Sequence, residues 1–229
     1  MTGLSVSVVI PVLNEGKALM QSMAQFKNLA EENDLIFCDG GSEDETCDFL
    51  QQHGLNYCHS PRGRALQMNA GAASSKSDIL LFIHADTMIF TSDIAIVKKA
   101  MLDISVVGGR FDVRLSGKAF AFRIIEFMIN LRSRMTGVST GDQCQFVRRS
   151  VFEKMGGFPE QALMEDIEFS KQLKRYGKIA SLKNKVSTSS RRWEKHGIVK
   201  TVMLMWKLRF LYWLGTPPEK LAEIYHSVR

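Results

Sequence analysis

Three short apolar runs in the first part of the chain each break off at a polar cluster. Residues 5–10, rich in β-branched side chains, run through Pro11 to Asn14 and Glu15. Leu35-Ile36-Phe37-Cys38 ends on Asp39-Gly40-Gly41-Ser42, and Ile79-Leu80-Leu81-Phe82-Ile83 ends on His84-Ala85-Asp86-Thr87. Runs of four to six such residues are the length of buried strands. The stretches between them, 16–32, 43–52 and 64–74, carry the pattern of helices, and residues 56–58 suit a further short strand. Strands alternating with helices at this spacing build βαβ units, so a mostly parallel central sheet flanked by helices is expected, an α/β fold. In such sheets ligands bind beyond the carboxyl ends of the strands, where these three polar clusters fall.

The rest of the chain is less regular. A strand over 106–113, a helix over 118–134, a small-residue loop over 137–141 and partial helix over 146–155 are expected. A helix over 165–176 would end at Gly177 as its cap, and 198–214 reads as a long apolar helix. No repeat, low-complexity tract or linker divides the 229 residues, so residues 1–229 are read as a single domain, with a ligand-binding half over about 1–113 and a second half over about 114–229.

Lys and Arg exceed Asp and Glu by a formal net charge of +6, spread along the chain, which favours an anionic partner such as a nucleotide diphosphate or an acidic membrane surface. Nucleic acid is disfavoured, since no basic and aromatic cluster forms a recognisable module. Cys38, Cys47, Cys58 and Cys144 show no CxxC spacing and no Cys/His cluster, so a reducing cytoplasm is the expectation. No signal peptide and no spanning helix are expected.

Four segments carry chemistry. In Asp39-Gly40-Gly41-Ser42-Glu43-Asp44-Glu45-Thr46, Asp39 can accept hydrogen bonds from a base or ribose and the glycines permit close approach. The same residues also suit a capped βα turn, with Ser42 and Glu45 at capping-box spacing. At His84-Ala85-Asp86-Thr87 a carboxylate can hold Mg2+ or Mn2+ against a diphosphate; the alternative is a cap for a helix beginning near Thr91, for which Asp86 lies early. Glu165, Asp166 and Glu168 open a helix, where the helix dipole alone favours carboxylates; one of them can instead take a proton from an acceptor hydroxyl. Ser189-Ser190-Arg191-Arg192-Trp193, with His196 nearby, offers paired guanidinium groups to phosphate and a ring for stacking. A solvated basic loop with a core Trp fits the same residues.

These pieces, in this order, resemble the family 2 glycosyltransferases of the GT-A fold. The matching residues are Pro11-Val12-Leu13-Asn14-Glu15, the Asp39 to Thr46 segment, Arg62-Gly63-Arg64-Ala65 with Asn69-Ala70-Gly71, His84-Ala85-Asp86 at the DxD position, and Glu165-Asp166 at the ED position. His84-Ala85-Asp86-Thr87 and Ser189 to Trp193 are further similar to a short bacterial subgroup associated with arsenosugar biosynthesis. The resemblance implies an inverting, metal-assisted transfer from a UDP- or GDP-linked sugar to a hydroxyl acceptor. Pro11, Val12, Asn14, Glu15, Asp39, Gly40 and Ser42 would surround the nucleoside. Arg64, Asn69, His84, Ala85, Arg191, Arg192 and Trp193 would face the donor, and Asp86, with His196 as a further candidate, would hold Mn2+ or Mg2+. Asp166, beside Glu165, would be the base. Two positions depart from the pattern: His84 replaces the first Asp of DxD, and Ser189 replaces the Gln of QxxRW. An inactive nucleotide-sugar-binding protein and a nucleotidyltransferase are the alternatives, the latter without the Gly-rich loop such enzymes carry after their first strand.

The segment 198–214 mixes aromatics and cations among aliphatics, as interfacial helices do. Lys200 and Lys207 align on a helical wheel while Arg209 falls nearly opposite. Weak attachment at the inner face of a membrane, a homodimer contact, or a core helix with outward-reaching cations would each account for it.

Overall fold

The computed structural model describes residues 3–227, with the side chain of Arg192 outside the description. One eight-stranded sheet organises the chain. In sequence order its strands are β1 (Val6–Val12), β2 (Asp34–Asp39), β3 (Tyr57–His59), β4 (Ile79–Phe82), β5 (Thr87–Met88), β6 (Val106–Leu115), β7 (Phe146–Arg148) and β8 (Lys178–Thr188). Their spatial order is β3-β2-β1-β4-β7-β6-β8-β5. The pairs β3-β2, β2-β1, β1-β4 and β6-β8 are parallel, while β7 runs antiparallel to both neighbours and β5 antiparallel to β8. The sheet is therefore parallel in its first half and mixed in its second.

β1 runs two residues further than the apolar run indicated, through Pro11. Val9 accepts the N–H of Ile83 and Val12 accepts that of Gly40, so alternate residues face β4 and β2. Pro11 faces the β4 side, and that pairing ends at Val9 with Phe82. The N–H that proline lacks would have found no ladder partner there.

Helices cover both faces. Those in the first two thirds are α1 (Gly16–Ala30), α2 (Thr46–Gln52), α3 (Arg64–Ser74), α4 (Thr91–Ala100) and α5 (Phe120–Thr136). Then follow α6 (Arg149–Met155), α7 (Glu165–Leu173), α8 (Arg191–His196), α9 (Ile198–Trp213) and α10 (Pro218–Ser227). Period-two alternation sends Val8, Ile10 and Leu81 to one face, against Leu19 and Phe26 of α1 and Ile94 of α4. Val9, Leu80 and Phe82 go to the other, against Met68 of α3, Phe152 of α6 and Phe169 of α7. On that second face Phe158 stacks on Phe169 at 4.1 Å and meets Phe82 edge-on at 4.8 Å. Each such ring contributes about 1.5–3 kcal/mol by leaving water. α3 lies close because Gly71 lacks a side chain; a Cβ there would stand 2.5 Å from both Cys38 Sγ and a methyl of Val9. A third cluster joins Met164 and Ile167 to Leu208 of α9 and Leu221 of α10.

Several expectations are corrected. The capping box does not form: Ser42 Oγ accepts from the N–H of Asn14, and Asp44 accepts from the N–H of Thr46 at the start of α2. α7 ends at Leu173 with Lys174 as its cap, so Gly177 is no helix terminus; a Cβ on it would stand 2.5 Å from Val107. The segment expected to be helical from residue 146 begins as β7, and the segment after Ser190 is the short helix α8. β5, β8 and α10 were not expected at all. No helix among the described residues is long and apolar enough to cross a membrane.

Candidate active site

The three polar clusters meet at the carboxyl ends of β1, β2 and β4. The turns after β1 and β2 are laced together: Asn14 accepts from the N–H of Glu43, Thr46 Oγ1 from that of Glu15, and Asp44 from that of Gly16. Asn14 holds a left-handed backbone, φ 55, which Asn tolerates better than most residues. Beneath them, buried Gln67 of α3 donates from Nε2 to the carbonyls of Val12 and Cys38, at 2.7 and 2.8 Å. Gln67 thereby fixes the spacing of two strand ends, and Gly40 lies against it.

Asp39 is buried, yet its carboxylate accepts from the N–H groups of Gly41 and Ser42. Burial pushes its pKa up, but these bonds, with a further one from Cys47, outweigh burial and hold it below the usual value. Asp39 is thus a fixed acceptor at the floor of the turn. The expectation that cysteine and histidine do not cluster is corrected here, because α2 and β3 bring Cys47 and His59 around Asp39 at the end of β2. Among the described residues these three form the one group of three close metal-capable side chains.

The His84 to Asp86 segment is positioned from α1. Ser22 Oγ donates to the carbonyl of Ala85, and Gln25 donates to that of Thr87 and accepts from the N–H of Ile89. β5 follows at once and pairs with the end of β8, Thr87 opposite Thr188. This antiparallel register brings Ser189, the first residue of the Ser189 to Trp193 segment, towards Asp86. Arg191 there is exposed and Trp193 half-buried.

The fourth piece closes the cleft. Met164 takes a left-handed conformation, φ 68, immediately before α7, a strain that non-glycine residues adopt where the surroundings impose it. Asp166 accepts from the N–H of Gly141 at 2.8 Å and from that of Ile167 at 2.7 Å. Gly141 belongs to a single 3-10 turn, Gly141–Gln143, packed so closely on His84 that a Cβ would stand 2.7 Å from its Nε2. Below, buried Gln145 donates to Ser139 Oγ, Ser170 Oγ and the carbonyl of Asp166. Arg64, Met68, His84, Gly141, Glu165 and Asp166 line the resulting pocket, with Phe82 and Gln145 at its base.

Arg64, at the first residue of α3, is the electrostatic centre. Its Nη1 lies 3.8 Å from Glu165 Oε1. Desolvation pulls its pKa down, and the nearby Glu165, Asp166, Tyr225 and Asp86 more than restore it. Burial, then Asp166 beside it, pushes the Glu165 carboxyl up to about 7 against the pull of Arg64. Burial raises Asp166 as well, opposed by the Gly141 N–H and by Arg64. The pocket thus holds two proton-hungry carboxylates and one cation, the pattern of a site that moves protons near neutrality.

Of the residues singled out in the sequence, Asp86, Glu165, Asp166, Arg64 and His84 converge on one cleft. Pro11, Val12, Asn14, Glu15, Asp39, Gly40 and Ser42 form its neighbouring corner. Asn69 is committed elsewhere: its amide donates to the carbonyl of Phe158 and accepts that residue's N–H. His196 ends α8, outside any group of three metal-capable side chains among the described residues. Gln67, Gln145 and Gly141 were missed as site residues, since their roles arise from contacts distant in sequence.

The chain's relatives agree on one family. Residues 7–156 match the family described as "Glycosyl transferase family 2". A probable glycosyltransferase of Bacillus subtilis, YdaM, is 24% identical over 198 residues, covering 72% of this chain and 45% of its own length, so this chain spans less than half of that relative. An undecaprenyl-phosphate 4-deoxy-4-formamido-L-arabinose transferase of Photorhabdus laumondii is 27% identical, covering 97% of this chain and 72% of that protein. Among solved structures, the mannosyltransferase PcManGT of Pyrobaculum calidifontis, in complex with GDP-Man and Mn2+, superposes with a TM-score of 0.68 at 16% identity, covering 99% of this chain and 69% of that one. Glucosyl-3-phosphoglycerate synthase of Mycobacterium tuberculosis, with Mn2+ and UDP-glucose, gives 0.61 at 19% identity, covering 80% and 71%. The expected GT-A fold is the fold of this chain.

Proposed function

The chain belongs to glycosyl transferase family 2, and from that premise we propose that it transfers a sugar from a UDP- or GDP-linked donor to a hydroxyl acceptor, inverting the anomeric carbon. The observation that carries this reading is the convergence of Asp86, Glu165 and Asp166 on Arg64 at the carboxyl ends of the parallel strands. The nucleoside would lie over Pro11, Val12, Asn14, Glu15, Gly40 and Ser42, with Asp39, its carboxyl held below the usual value, as an acceptor. The diphosphate would lie between His84-Ala85-Asp86 and the segment carrying Arg191, Arg192 and Trp193. GDP-Man and UDP-glucose in the complexes of the two structural neighbours support a nucleotide-sugar donor. Residues 1–229 would act as one domain, donor side first.

Mn2+ or Mg2+ fits the donor set. Asp86 offers hard carboxylate oxygen at the cleft, and with one such ligand the donor's phosphate oxygens would complete the coordination. When bound, the ion would neutralise the charge that develops on the departing diphosphate. His196 is an imidazole on the neighbouring helix α8, an accessory at most.

Asp166 takes the base role because it is half-buried and aimed. Two backbone N–H groups fix its carboxylate, and its raised pKa makes it a stronger proton acceptor than a solvated aspartate. As the acceptor oxygen attacks the anomeric carbon, its proton passes to Asp166 and the bond to the diphosphate breaks, the diphosphate keeping the electron pair. Arg64 opposes the rise of both carboxyls and so favours their ionised forms. A place in the short arsenosugar-associated subgroup is supported by the resemblance at His84 to Thr87 and Ser189 to Trp193, a cytoplasmic location by the cysteine pattern, and the inner membrane face by the make-up of residues 198–214.

The test is a panel of nucleotide sugars with and without Mn2+. One UDP- or GDP-sugar should raise the melting temperature in a metal-dependent way and be slowly hydrolysed without acceptor. Asp86→Ala should weaken donor binding and turnover together. No stabilisation by any donor, or pyrophosphate release from a nucleoside triphosphate with a sugar phosphate, would overturn the reading.

A further inference from the structure

Two helices outside the cleft carry apolar side chains that the fold leaves in solvent. On α5, Phe120, Ile124, Phe127, Leu131 and Met135 are exposed, while Phe122, Glu126, Asn130 and Ser133 are buried against β6. On α9, Val199, Met203, Trp206, Phe210 and Trp213 are exposed. The opposite side of α9 buries Leu208 in the cluster with Met164 and Leu221. Steps of three and four residues set each exposed series on one side of its helix. Single exposed apolar residues are ordinary; two aromatic stripes on one protein are not.

The helices are neighbours. Arg132 of α5 is desolvated and within electrostatic range of Arg209 of α9, which together bring its guanidinium down to about 10. Val138, just beyond α5, packs in the same cluster as Leu204 and Leu211 of α9.

The exposed charges on α5 and α9 themselves have one sign, the exposed acids Glu219 and Glu223 lying on the adjoining α10. At 100° per residue, Lys200 and Lys207 stand roughly 90° to one side of the α9 stripe and Arg209 about 80° to the other. The near opposition of these cations, which looks irregular on a helical wheel, therefore brackets the exposed aromatics. α9 contains no Asp or Glu. The one acid of α5, Glu126, is buried, accepting from the N–H of Leu115 and pairing with Arg123.

We propose that α5 and α9 form one face that seats on an anionic phospholipid bilayer, aromatics at the acyl–headgroup boundary and Lys200, Lys207 and Arg209 on lipid phosphate. A second copy of the chain would bring the same cations against one another, with no exposed acid on either helix to receive them, so charge selects the bilayer over self-association. Arg132 also lies within range of Asp142 and Asp166, so the seat borders the side of the cleft that holds Asp166. The inference goes beyond glycosyl transfer and requires the helices alone, not the chemistry.

The experiment is flotation of the full chain with vesicles of phosphatidylglycerol and phosphatidylcholine, against phosphatidylcholine alone. Trp emission is followed in parallel, since Trp206 and Trp213 are two of the three tryptophans. The chain should float with the anionic vesicles and shift its emission to the blue, and high salt should reduce both. The double variants Trp206→Ser/Phe210→Ser and Phe120→Ser/Phe127→Ser, whose altered positions are exposed, should melt like the parent and lose flotation. Lys200→Glu/Lys207→Glu should lose the preference for anionic lipid. Failure of the parent to float would overturn the proposal. So would flotation unchanged in the folded variants, or a dimer in sedimentation that the serine variants dissolve without any vesicle binding.

Discussion

The N–H of Gly141 donates to Oδ2 of Asp166 at 2.8 Å, and the same glycine lies where any Cβ would stand 2.7 Å from Nε2 of His84. One backbone position thus sets the distance between the segment that carries Asp86 and the carboxylate proposed to take the proton. Gly141→Ala is expected to push these apart. A shift of about 1 Å in such a site lowers turnover by about 10²-fold. The melting temperature should fall far less, because the turn is half-exposed. Steady-state kinetics beside a thermal melt checks this, and equal loss of both would reduce Gly141 to a packing residue.

Activity and stability are expected to respond to pH in opposite directions. The Glu165 carboxyl moves from 4.5 to about 7 on folding, and Asp166 is raised too. With Asp166 as the proposed base, transfer needs it ionised, so the acid limb of the rate profile should lie above the ordinary aspartate value of about 3.9. For stability, the folded chain holds the Glu165 proton more tightly than the unfolded chain. This contribution is full below pH 4.5 and is lost as pH rises through about 7. Glu165→Gln should therefore flatten the pH dependence of the melting temperature between those values.

Arg64 restrains both carboxylates. In Arg64→Gln the pull of the guanidinium on Glu165 and Asp166 is gone, so the acid limb should move to higher pH while donor affinity falls. A profile unchanged in shape, with affinity alone reduced, would assign Arg64 to phosphate binding without any hold on the base.

Gln67→Met keeps the volume and removes both donors to the carbonyls of Val12 and Cys38. The carbonyl of Val12 keeps the N–H of Gly40, so the loss is that of the side-chain bonds themselves, about 0.5–1.5 kcal/mol each. Urea unfolding should show that loss, and nucleotide affinity should fall with it, since the strand ends frame the corner around Asp39.

The alternation of apolar runs and helices made the first half of the fold legible, and α3 spans the residues its composition indicated, Arg64–Ser74. The site was legible where a motif ends a strand or opens a helix, at Asp39, Asp86 and Asp166. β8 was not, because Lys178, Lys183, Asn184 and Lys185 break its apolar pattern, and the strand holds its place through pairing with β6. Without β8 the sequence held no means of bringing Ser189 towards Asp86. The capping box at Ser42 failed for the same kind of reason: a local spacing was outcompeted by Asn14, 28 residues away. Gln67 and Gln145 carry no sequence signal, since a buried glutamine declares itself only through the carbonyls and hydroxyls that the fold brings to it.

The measurement closest to the central claim separates binding from transfer in Asp166→Asn. With the stabilising nucleotide sugar and Mn2+, donor affinity by calorimetry should stay close to the parent's, because the asparagine keeps the shape of the side chain and an oxygen for one of the two N–H groups, of Gly141 or Ile167, that bond to separate carboxylate oxygens of Asp166. Single-turnover transfer should fall by about 10²–10⁴-fold, the worth of a positioned base. Unimpaired transfer in that variant would contradict the assignment of Asp166 as the base.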